Sequence, residues 1–129
     1  MGNEGDDHLL GGLGSDQLTG GAGADVFAFN NLAEGLDTIS DFVSTVDRLQ
    51  IAASGFGGGL TAGGSAAVLT TDDYAAVSGS LGGYFIYDTG GVDAGTVYWD
   101  ATGGVGSDAV ALVKLQTGAS LVPSDFHLV

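Results

Sequence analysis

The sequence contains no cysteine, one proline and only two basic residues, Arg48 and Lys114. The absence of cysteine excludes disulfide bonds and thiol chemistry. Sixteen acidic residues give a formal charge of −14. Two basic residues cannot form the Lys/Arg clusters that bind nucleic acids or anionic membranes. No apolar run approaches the roughly 20 residues that span a bilayer, which argues against membrane insertion. The N-terminus also lacks the basic and apolar regions of a cleaved secretory signal.

Catalytic motifs are equally scarce. His8 lies at the variable seventh place of a nine-residue repeat, and His127 lies near the end of the chain. Neither is therefore interpreted as a catalytic base. Residues 78–82 miss the G-x-S-x-G nucleophile motif by their first residue, and the sequence has no Walker loop and no H-E-x-x-H motif. We therefore predict that this chain is not itself an enzyme, which leaves open an activity elsewhere in a larger protein.

Glycine is abundant, and in the first 28 residues it recurs with a period of nine. Three contiguous units, residues 2–10, 11–19 and 20–28, share one register. Each has glycine at its first and fourth places, aspartate at its sixth and a large apolar residue at its eighth. The aspartates and apolar residues are Asp7, Asp16, Asp25, Leu9, Leu18 and Phe27. A flexible linker could share this composition, but it would have no reason to keep the apolar residues in phase.

Each unit predicts a tight loop followed by a very short strand. Glycines allow the positive φ angles that bring backbone carbonyls toward one point, and the aspartate adds a carboxylate to that ring of oxygens. Oxygen ligands in a flexible geometry suit a hard cation such as Ca²⁺. The apolar residue at the eighth place points inward, so stacked units bury a column that no single unit could bury. Because the acidic chain repels itself when compact, we expect it to need cations to fold.

Downstream, alternating polar and apolar residues between glycine- and aspartate-rich turns predict further short strands. These strands cover residues 26–29, 37–42, 48–51, 67–69, 84–87, 96–99, 109–115 and 126–129. Residues 53–66 predict a long loop, and residues 71–76 predict one helical turn at most. No segment has a useful helical period, so the predicted fold class is all-β, with an antiparallel β-sandwich in the second part of the chain.

The nonapeptides resemble the Ca²⁺-binding repeat G-G-x-G-x-D-x-U-x of RTX proteins. The later motifs, residues 37–42, 47–49 and 124–129 with tyrosine-rich hairpins among them, resemble the C-terminal end of RTX proteins exported by type I secretion, such as serralysin-type metalloproteases. The resemblance implies a short parallel β-roll over residues 1–37 that continues, as one unit, into an antiparallel β-sandwich over residues 38–129. It also implies an uncleaved C-terminal export signal for the type I secretion machinery, and hence a secreted, extracellular module.

The resemblance further implies where the ions bind. Strands of the family's β-roll alternate between two sides, so the loop of the first unit stacks on that of the third. One Ca²⁺ ion is expected there, with oxygens from Asn3, Gly5, Asp7, Gly20, Ala22 and Asp25, and with Gly23 as a further candidate. A second ion would use Gly12, Gly14 and Asp16 on one side only. Its other half must come from residues 29–41, where we expect Asp37; Asn30 is a weaker candidate, and Asp41 is interpreted as a turn cap.

Without a cation, Asp7 and Asp25 would face each other as like charges in a constricted loop. Extracellular calcium modules bind at about 10⁻⁴–10⁻³ M, so the hypothesis is a chain that stays unfolded inside the cell and folds on meeting Ca²⁺ outside. The alternative is a carbohydrate-binding or adhesive β-sandwich, with sugar rings stacked on Tyr84, Tyr87, Tyr98 and Trp99. Alternation along strands favours about half of these aromatic side chains lying in the core instead.

Overall fold

A computed structural model describes residues 4–31, 35–56, 62–64, 68–71, 84–91, 94–100, 110–116 and 118–129. Strands dominate these residues, and the only α-helix among them is a single turn. The elements are β1 His8–Leu10, β2 Gln17–Leu18, β3 Val26–Phe29, β4 Asp37–Ile39, β5 Arg48–Ile51, α1 Ala53–Phe56, β6 Val68–Thr71, β7 Tyr84–Asp88, β8 Thr96–Asp100, β9 Val110–Leu115 and, after a 3-10 turn Pro123–Asp125, β10 Phe126–Leu128. The all-β prediction is confirmed.

The first five strands alternate between two sheets. Strands β1, β3 and β5 lie side by side in a four-stranded sheet that β10 completes, and its pairings are all parallel. Strands β2 and β4 pair in parallel in a second sheet, which continues through β9, β8, β7 and β6. Each nonapeptide thus carries the chain from one sheet to the other, so that His8 and Val26, two units apart, become direct neighbours.

The antiparallel sandwich expected for residues 38–129 differs from what the described residues show. Strand β8 pairs antiparallel with β7 and β9, whereas β4 pairs with β9, and β6 with β7, in parallel. The second sheet is therefore mixed, and β10 extends the parallel sheet. A short connection lets β7 and β8 form a hairpin. Strand β9 pairs with the preceding β8 and also with the distant β4, and β10 pairs with the distant β5.

Inward-facing side chains of both sheets form one apolar cluster. The three residues at the eighth place of the repeats belong to it and are buried: Leu9, Leu18 and Phe27. The strand register continues this column, because Ile39 lies opposite Leu18 and Leu49 lies opposite Phe27. The prediction that the eighth place faces the core is therefore confirmed.

Helix α1 lies inside the segment that the sequence predicts as a long loop. Its residues Ala53 and Phe56 are buried, and the Phe56 carbonyl accepts a 3.2 Å hydrogen bond from the indole N–H of Trp99. The predicted helical turn at 71–76 begins at Thr71, which ends β6, and its other residues lie outside the described ones. Within the described part of the chain, no helix has the length and apolar character to cross a membrane.

Candidate metal centre

The turns before β1, β3 and β5 are stacked and joined through three aspartates, which we call the first aspartate column: Asp7, Asp25 and Asp47. The backbone N–H of Asp7 donates to Oδ1 of Asp25 at 3.0 Å, and that of Asp25 donates to Oδ1 of Asp47 at 3.0 Å. In return, the Asp7 carbonyl accepts from the Val26 N–H at 2.8 Å and the Asp25 carbonyl from the Arg48 N–H at 2.9 Å. Each later carboxylate therefore holds the turn stacked before it.

The turns before β2 and β4 repeat this arrangement in a second aspartate column, formed by Asp16 and Asp37. The N–H of Asp16 donates to Oδ1 of Asp37 at 2.8 Å, and the Asp16 carbonyl accepts from the Thr38 N–H at 2.8 Å. Gly35 packs on Gly14 so closely that a Cβ on Gly35 would lie 2.5 Å from the Gly14 carbonyl oxygen. Residues 35–40 thus act as an incomplete fourth unit, with Gly35 and Asp37 in the places of the repeat glycine and aspartate.

Two carboxylate oxygens in these columns are buried without a hydrogen-bond donor. Oδ2 of Asp16 and Oδ2 of Asp25 each expose less than 1 Å² and have no partner among the described residues. Asp25 as a whole is 1% exposed. Burying a carboxylate that is neither paired nor fully hydrogen-bonded costs on the order of several kcal/mol. A bound cation would offset this cost.

Glycines at the first place of the second and third units, Gly11 and Gly20, leave space for these oxygens. A Cβ on Gly11 would lie 2.5 Å from Oδ2 of Asp37 and 3.1 Å from Oδ2 of Asp16. Two carboxylate oxygens therefore converge on one point beside Gly11. A Cβ on Gly20 would likewise collide with Oδ2 of Asp25. Because neither Gly11 nor Gly20 has a positive φ, it is space rather than backbone conformation that requires glycine here.

The electrostatics of the first column oppose a bare carboxylate. Burial raises the pKa of Asp25, and the negative charges of Asp47, Asp7 and Asp41 raise it further, while the hydrogen bond from the Asp7 N–H lowers it. A raised pKa means that the ionised carboxylate is disfavoured in the metal-free turn. A cation beside Asp25 would reverse this effect, because it favours the ionised form.

Most of the residues predicted to bind metal lie in these stacked turns. The N–H of Gly5 donates to the Ala22 carbonyl at 2.9 Å, which joins the loops of the first and third units. Asp37 lies against Asp16, as expected for the other half of that site. Positive φ angles occur at the predicted glycines Gly5, Gly12, Gly14 and Gly23. Asn3 lies outside the described residues, so its role stays a prediction.

The sequence predicts a turn cap at Asp41 and offers Asn30 as an alternative to Asp37 in the second site. The carboxylate of Asp41 accepts the N–H groups of Gly20 and Gly21 at 2.9 and 2.8 Å, which confirms its interpretation as a cap. This capping also accounts for the end of β4 at Ile39, before the predicted end of the strand. Asn30 is exposed after β3, and its role as a ligand stays a prediction.

Sequence reasoning did not assign Asp47 or Gly35 to these turns. Asp47 follows Asp25 by 22 residues and Asp37 follows Asp16 by 21, whereas the contiguous repeats predict 18. The signal is present as the fragments 35–39 and 47–49, which keep the aspartate two residues before an apolar one. A search that allowed three or four inserted residues would have found both.

The donor set fits Ca²⁺ better than a transition metal. Within the described ranges, no group of three or more His, Cys, Asp or Glu side chains is placed to hold a metal ion. Any cation in these turns would therefore need backbone carbonyl oxygens or water beside one or two carboxylates. Ca²⁺ accepts such a set of oxygens, because it tolerates six to eight ligands in flexible geometry.

Two of the four aromatic residues considered for sugar binding, Trp99 and Tyr87, are buried. Trp99 is 1% exposed and Tyr87 is 3% exposed, and the Tyr87 hydroxyl donates to the Ala119 carbonyl. Tyr98 is partly buried, and the Tyr84 side chain lies outside what the structure describes. Two of the four rings, those of Trp99 and Tyr87, therefore lie in the core, as alternation along the strands favours.

Comparison with known families agrees with this geometry. Residues 1–31 match the family of the RTX calcium-binding nonapeptide repeat, in four copies, one more than the three contiguous units counted in the sequence. No curated protein matches the chain. RTX nonapeptide repeats bind Ca²⁺, and the family is structural rather than catalytic. In its residues 1–31, therefore, the chain carries RTX calcium-binding nonapeptide repeats.

Proposed function

We propose that this chain is a calcium-binding module that folds when it binds Ca²⁺ outside the cell, as part of a larger secreted protein. The observation that carries the proposal is the pair of buried oxygens without donors, Oδ2 of Asp16 and Oδ2 of Asp25, in turns of RTX repeats. Without a cation these oxygens oppose folding. A ligand that binds only the folded state stabilises it, by about 2.7 kcal/mol at a concentration of 100 Kd.

Two ion positions account for the donor geometry. One position lies in the second aspartate column, where Oδ2 of Asp16 and Oδ2 of Asp37 converge beside Gly11. The carbonyl oxygens of Gly12 and Gly14 would complete this set of ligands. The other lies in the first aspartate column, at the stacked loops of the first and third units. Its proposed ligands are Asn3, Gly5, Asp7, Gly20, Ala22, Gly23 and Asp25.

The repeats and the rest of the chain are proposed to fold as one unit, with a parallel β-roll over residues 1–37. Strand pairing supports this unity, since β4 pairs with β9 and β5 pairs with β10. Side chains from both parts share one apolar cluster, including Phe27 of the repeats and Trp99 of β8. A few repeats cannot bury a core of their own, so the remaining strands support them.

Export through the type I secretion machinery, with the signal at the C-terminus, is part of the same proposal. It is supported by the resemblance of residues 124–129 to the ends of such proteins and by the chemistry of calcium. A site with a Kd of about 10⁻⁴–10⁻³ M would be empty at the low calcium concentration of a cytosol and occupied outside the cell. The chain would then remain unfolded until export.

Circular dichroism and calorimetry, in chelator and in millimolar Ca²⁺, test the folding proposal. We expect β-structure to appear on calcium addition, with a measurable heat of binding. Mg²⁺ at the same concentration serves as a control and should not substitute, because it requires a tight octahedral shell and dehydrates reluctantly. Full β-structure in chelator, together with no heat of binding at millimolar Ca²⁺, would contradict the proposal.

A further inference from the structure

Asp125 is a buried acidic residue that the calcium-binding turns do not include. It is 1% exposed and directly precedes β10. Its Oδ1 accepts the Thr45 N–H at 2.8 Å, and its Oδ2 accepts the Ser44 hydroxyl at 2.7 Å and the Val122 N–H at 3.0 Å. Both carboxylate oxygens are thus satisfied by the protein itself.

The contacts of Asp125 hold the turn of residues 43–47, which in turn positions Asp47. Within this turn the Val43 N–H donates to Oδ2 of Asp47 at 2.8 Å, and the Asp47 N–H donates to the Val43 carbonyl at 2.8 Å. Thr45 has a φ of +68°, the one positive φ of a non-glycine residue in the described part of the chain. β-Branched residues rarely adopt this conformation, so it needs support from outside the turn.

Asp125 extends the first aspartate column by protein contacts alone. In that column, Asp25 accepts an N–H from the preceding turn, and so does Asp47. Asp125 does the same for the turn that contains Asp47, through the Thr45 N–H. The second oxygens differ, since Oδ2 of Asp25 has no donor, whereas Oδ2 of Asp47 and Oδ2 of Asp125 both have one. Asp25, in the middle of the column, therefore lacks a partner that a cation could provide, whereas the end formed by Asp47 and Asp125 is complete without metal.

Strand β10 fixes Asp125 independently of these turns. It pairs with β5 with Phe126 opposite Leu49, and the Phe126 ring stacks on Phe85 at a centroid distance of 4.3 Å. The Val129 N–H donates to the Ile51 carbonyl at 2.9 Å. The C-terminal strand is thus anchored to both sheets, and it presents Asp125 to the turn of residues 43–47.

We propose that Asp125 is a positioning residue for calcium binding, and that with residues 43–47 it forms a metal-independent end on which the turn of Asp25 stacks. This inference rests on the proposed function, because it concerns the same calcium-binding turns. Asp125 is not itself a ligand of the ion, so its replacement should weaken calcium binding without changing the number of ions bound. Coupling between sites is reciprocal, so Ca²⁺ also tightens the contacts between Asp125 and the turn.

Calorimetric calcium titrations of the whole chain test this, comparing wild type with Asp125→Asn and with Asp88→Asn. Asparagine keeps the shape and one acceptor oxygen but loses the charge that strengthens these hydrogen bonds. Asp88 is a matched control, because it is also buried, at 2% exposure, and caps the Gly90 N–H outside the column. We expect Asp125→Asn to raise the Kd of the first-column ion about tenfold with an unchanged number of ions, and Asp88→Asn to change it less than twofold.

Hydrogen exchange separates positioning from a general loss of stability. In calcium-loaded Asp125→Asn, the N–H groups of Thr45 and Asp25 should exchange about tenfold faster while those of β8 and β9 stay unchanged.

Equal calcium affinity of this variant and a calcium-binding wild type would overturn the inference, and so would uniformly faster exchange in both sheets. If Asp125→Asn fails to fold, Ser44→Ala removes a single donor and should still weaken binding about threefold; unchanged binding there also overturns it. A wild type that binds no calcium contradicts the proposed function itself, a distinguishable result.

Discussion

The backbone N–H of Asp16 donates a 2.8 Å hydrogen bond to Oδ1 of Asp37, 21 residues further along the chain. The other oxygen of Asp37 lies beside Gly11, together with Oδ2 of Asp16. One oxygen of this carboxylate therefore fixes the preceding turn, and the other would bind the cation in the function proposed above. This division explains why folding and calcium binding should be coupled, since forming the turn also gathers the charges that need the ion.

Replacing Asp37 by Asn should remove one of the calcium ions that titrate at millimolar concentration. Asparagine can still accept the Asp16 N–H, so the turn keeps its shape, but the second column loses one of its two negative charges. Interactions that involve a charged group contribute about 1.5–3 kcal/mol, so affinity at this position should fall about 10- to 100-fold. Calorimetry provides the count of ions and their affinities.

The control for this experiment is Asp88→Asn, which removes a buried charge outside both columns. It should leave the number of ions and their affinities unchanged. If Asp37→Asn binds the same number of ions as wild type with the same affinity, Asp37 is not a ligand, and the convergence beside Gly11 has another cause.

Replacing Gly11 by Ala should weaken the same ion position for a steric reason. The new Cβ would lie 2.5 Å from Oδ2 of Asp37, so the carboxylate must move away from the point where two oxygens converge. Because Gly11 has no positive φ, no backbone strain accompanies the change. We expect at least a tenfold loss of calcium affinity, measured by titration.

Gly118→Ala is a suitable comparison for Gly11→Ala. Gly118 has a φ of +85° and no atom within 4 Å of a new Cβ, so alanine introduces backbone strain of roughly 1 kcal/mol or more without filling a site. This variant should unfold more easily in calcium while keeping both ion positions. Equal calcium affinities for the two variants would contradict a steric role of Gly11.

Alkaline pH should destabilise the protein through Tyr87. Burial raises the pKa of this phenol, so above about pH 10, the value of an exposed tyrosine, the folded state holds a proton that the unfolded state has lost. The free energy of unfolding therefore falls as pH rises past that value. Tyr87→Phe should be less stable at neutral pH by about 1 kcal/mol, since it loses the bond to Ala119.

Chemical unfolding in calcium from pH 8 to 11 measures this effect. The quantity to compare is the difference between wild type and Tyr87→Phe at each pH, because the groups that the two proteins share cancel in it. That difference should shrink as pH rises. A constant difference would mean that the Tyr87 hydroxyl reaches solvent and titrates normally.

The repeat turns were predictable because their information is local. A contiguous period of nine determines which residues face the core and which aspartates stack, and Leu9, Leu18 and Phe27 are buried as that period requires. Asp47 could not be found by counting, because the stack tolerates inserted residues: its partner Asp25 lies 22 positions earlier. The strands β3 and β5 pair in the same register as β1 and β3, although more residues separate their aspartates in the sequence.

The sequence also did not predict which strands the later strands pair with. The β-forming residues of 109–115 predict a strand, but not that Val113 lies opposite Asp37. Local patterns determine the side-chain faces of a strand and leave its neighbours open. The same holds for β10, whose parallel pairing with β5 brings Asp125 to the turn of residues 43–47. This contact depends on the complete fold.

The charge of Asp25 should destabilise the fold without calcium and stabilise it with calcium. Burial and neighbouring charges raise its pKa in the metal-free fold, so the folded state binds a proton more tightly than the unfolded state does. The free energy of unfolding in chelator therefore falls as pH rises from about 4, the value of an exposed aspartate, through this raised pKa. Calcium reverses the effect because the cation favours the ionised form.

Asp25→Asn should therefore change sign between the two conditions. In chelator at pH 7 the variant should be at least as stable as wild type, because it no longer carries a buried charge, and the difference should vanish on acidification toward pH 4. In millimolar Ca²⁺ the variant should be the less stable protein by about 1.5–3 kcal/mol, since the ion loses a charged ligand. Because the metal-free chain is expected to be largely unfolded, circular dichroism compares the folded fractions in chelator, and denaturant unfolding compares the stabilities in calcium. Measuring each at pH 4 and pH 7 gives four conditions. A variant that is less stable by the same amount in all four would mean that Asp25 acts only by holding the Asp7 N–H, with no cation beside it.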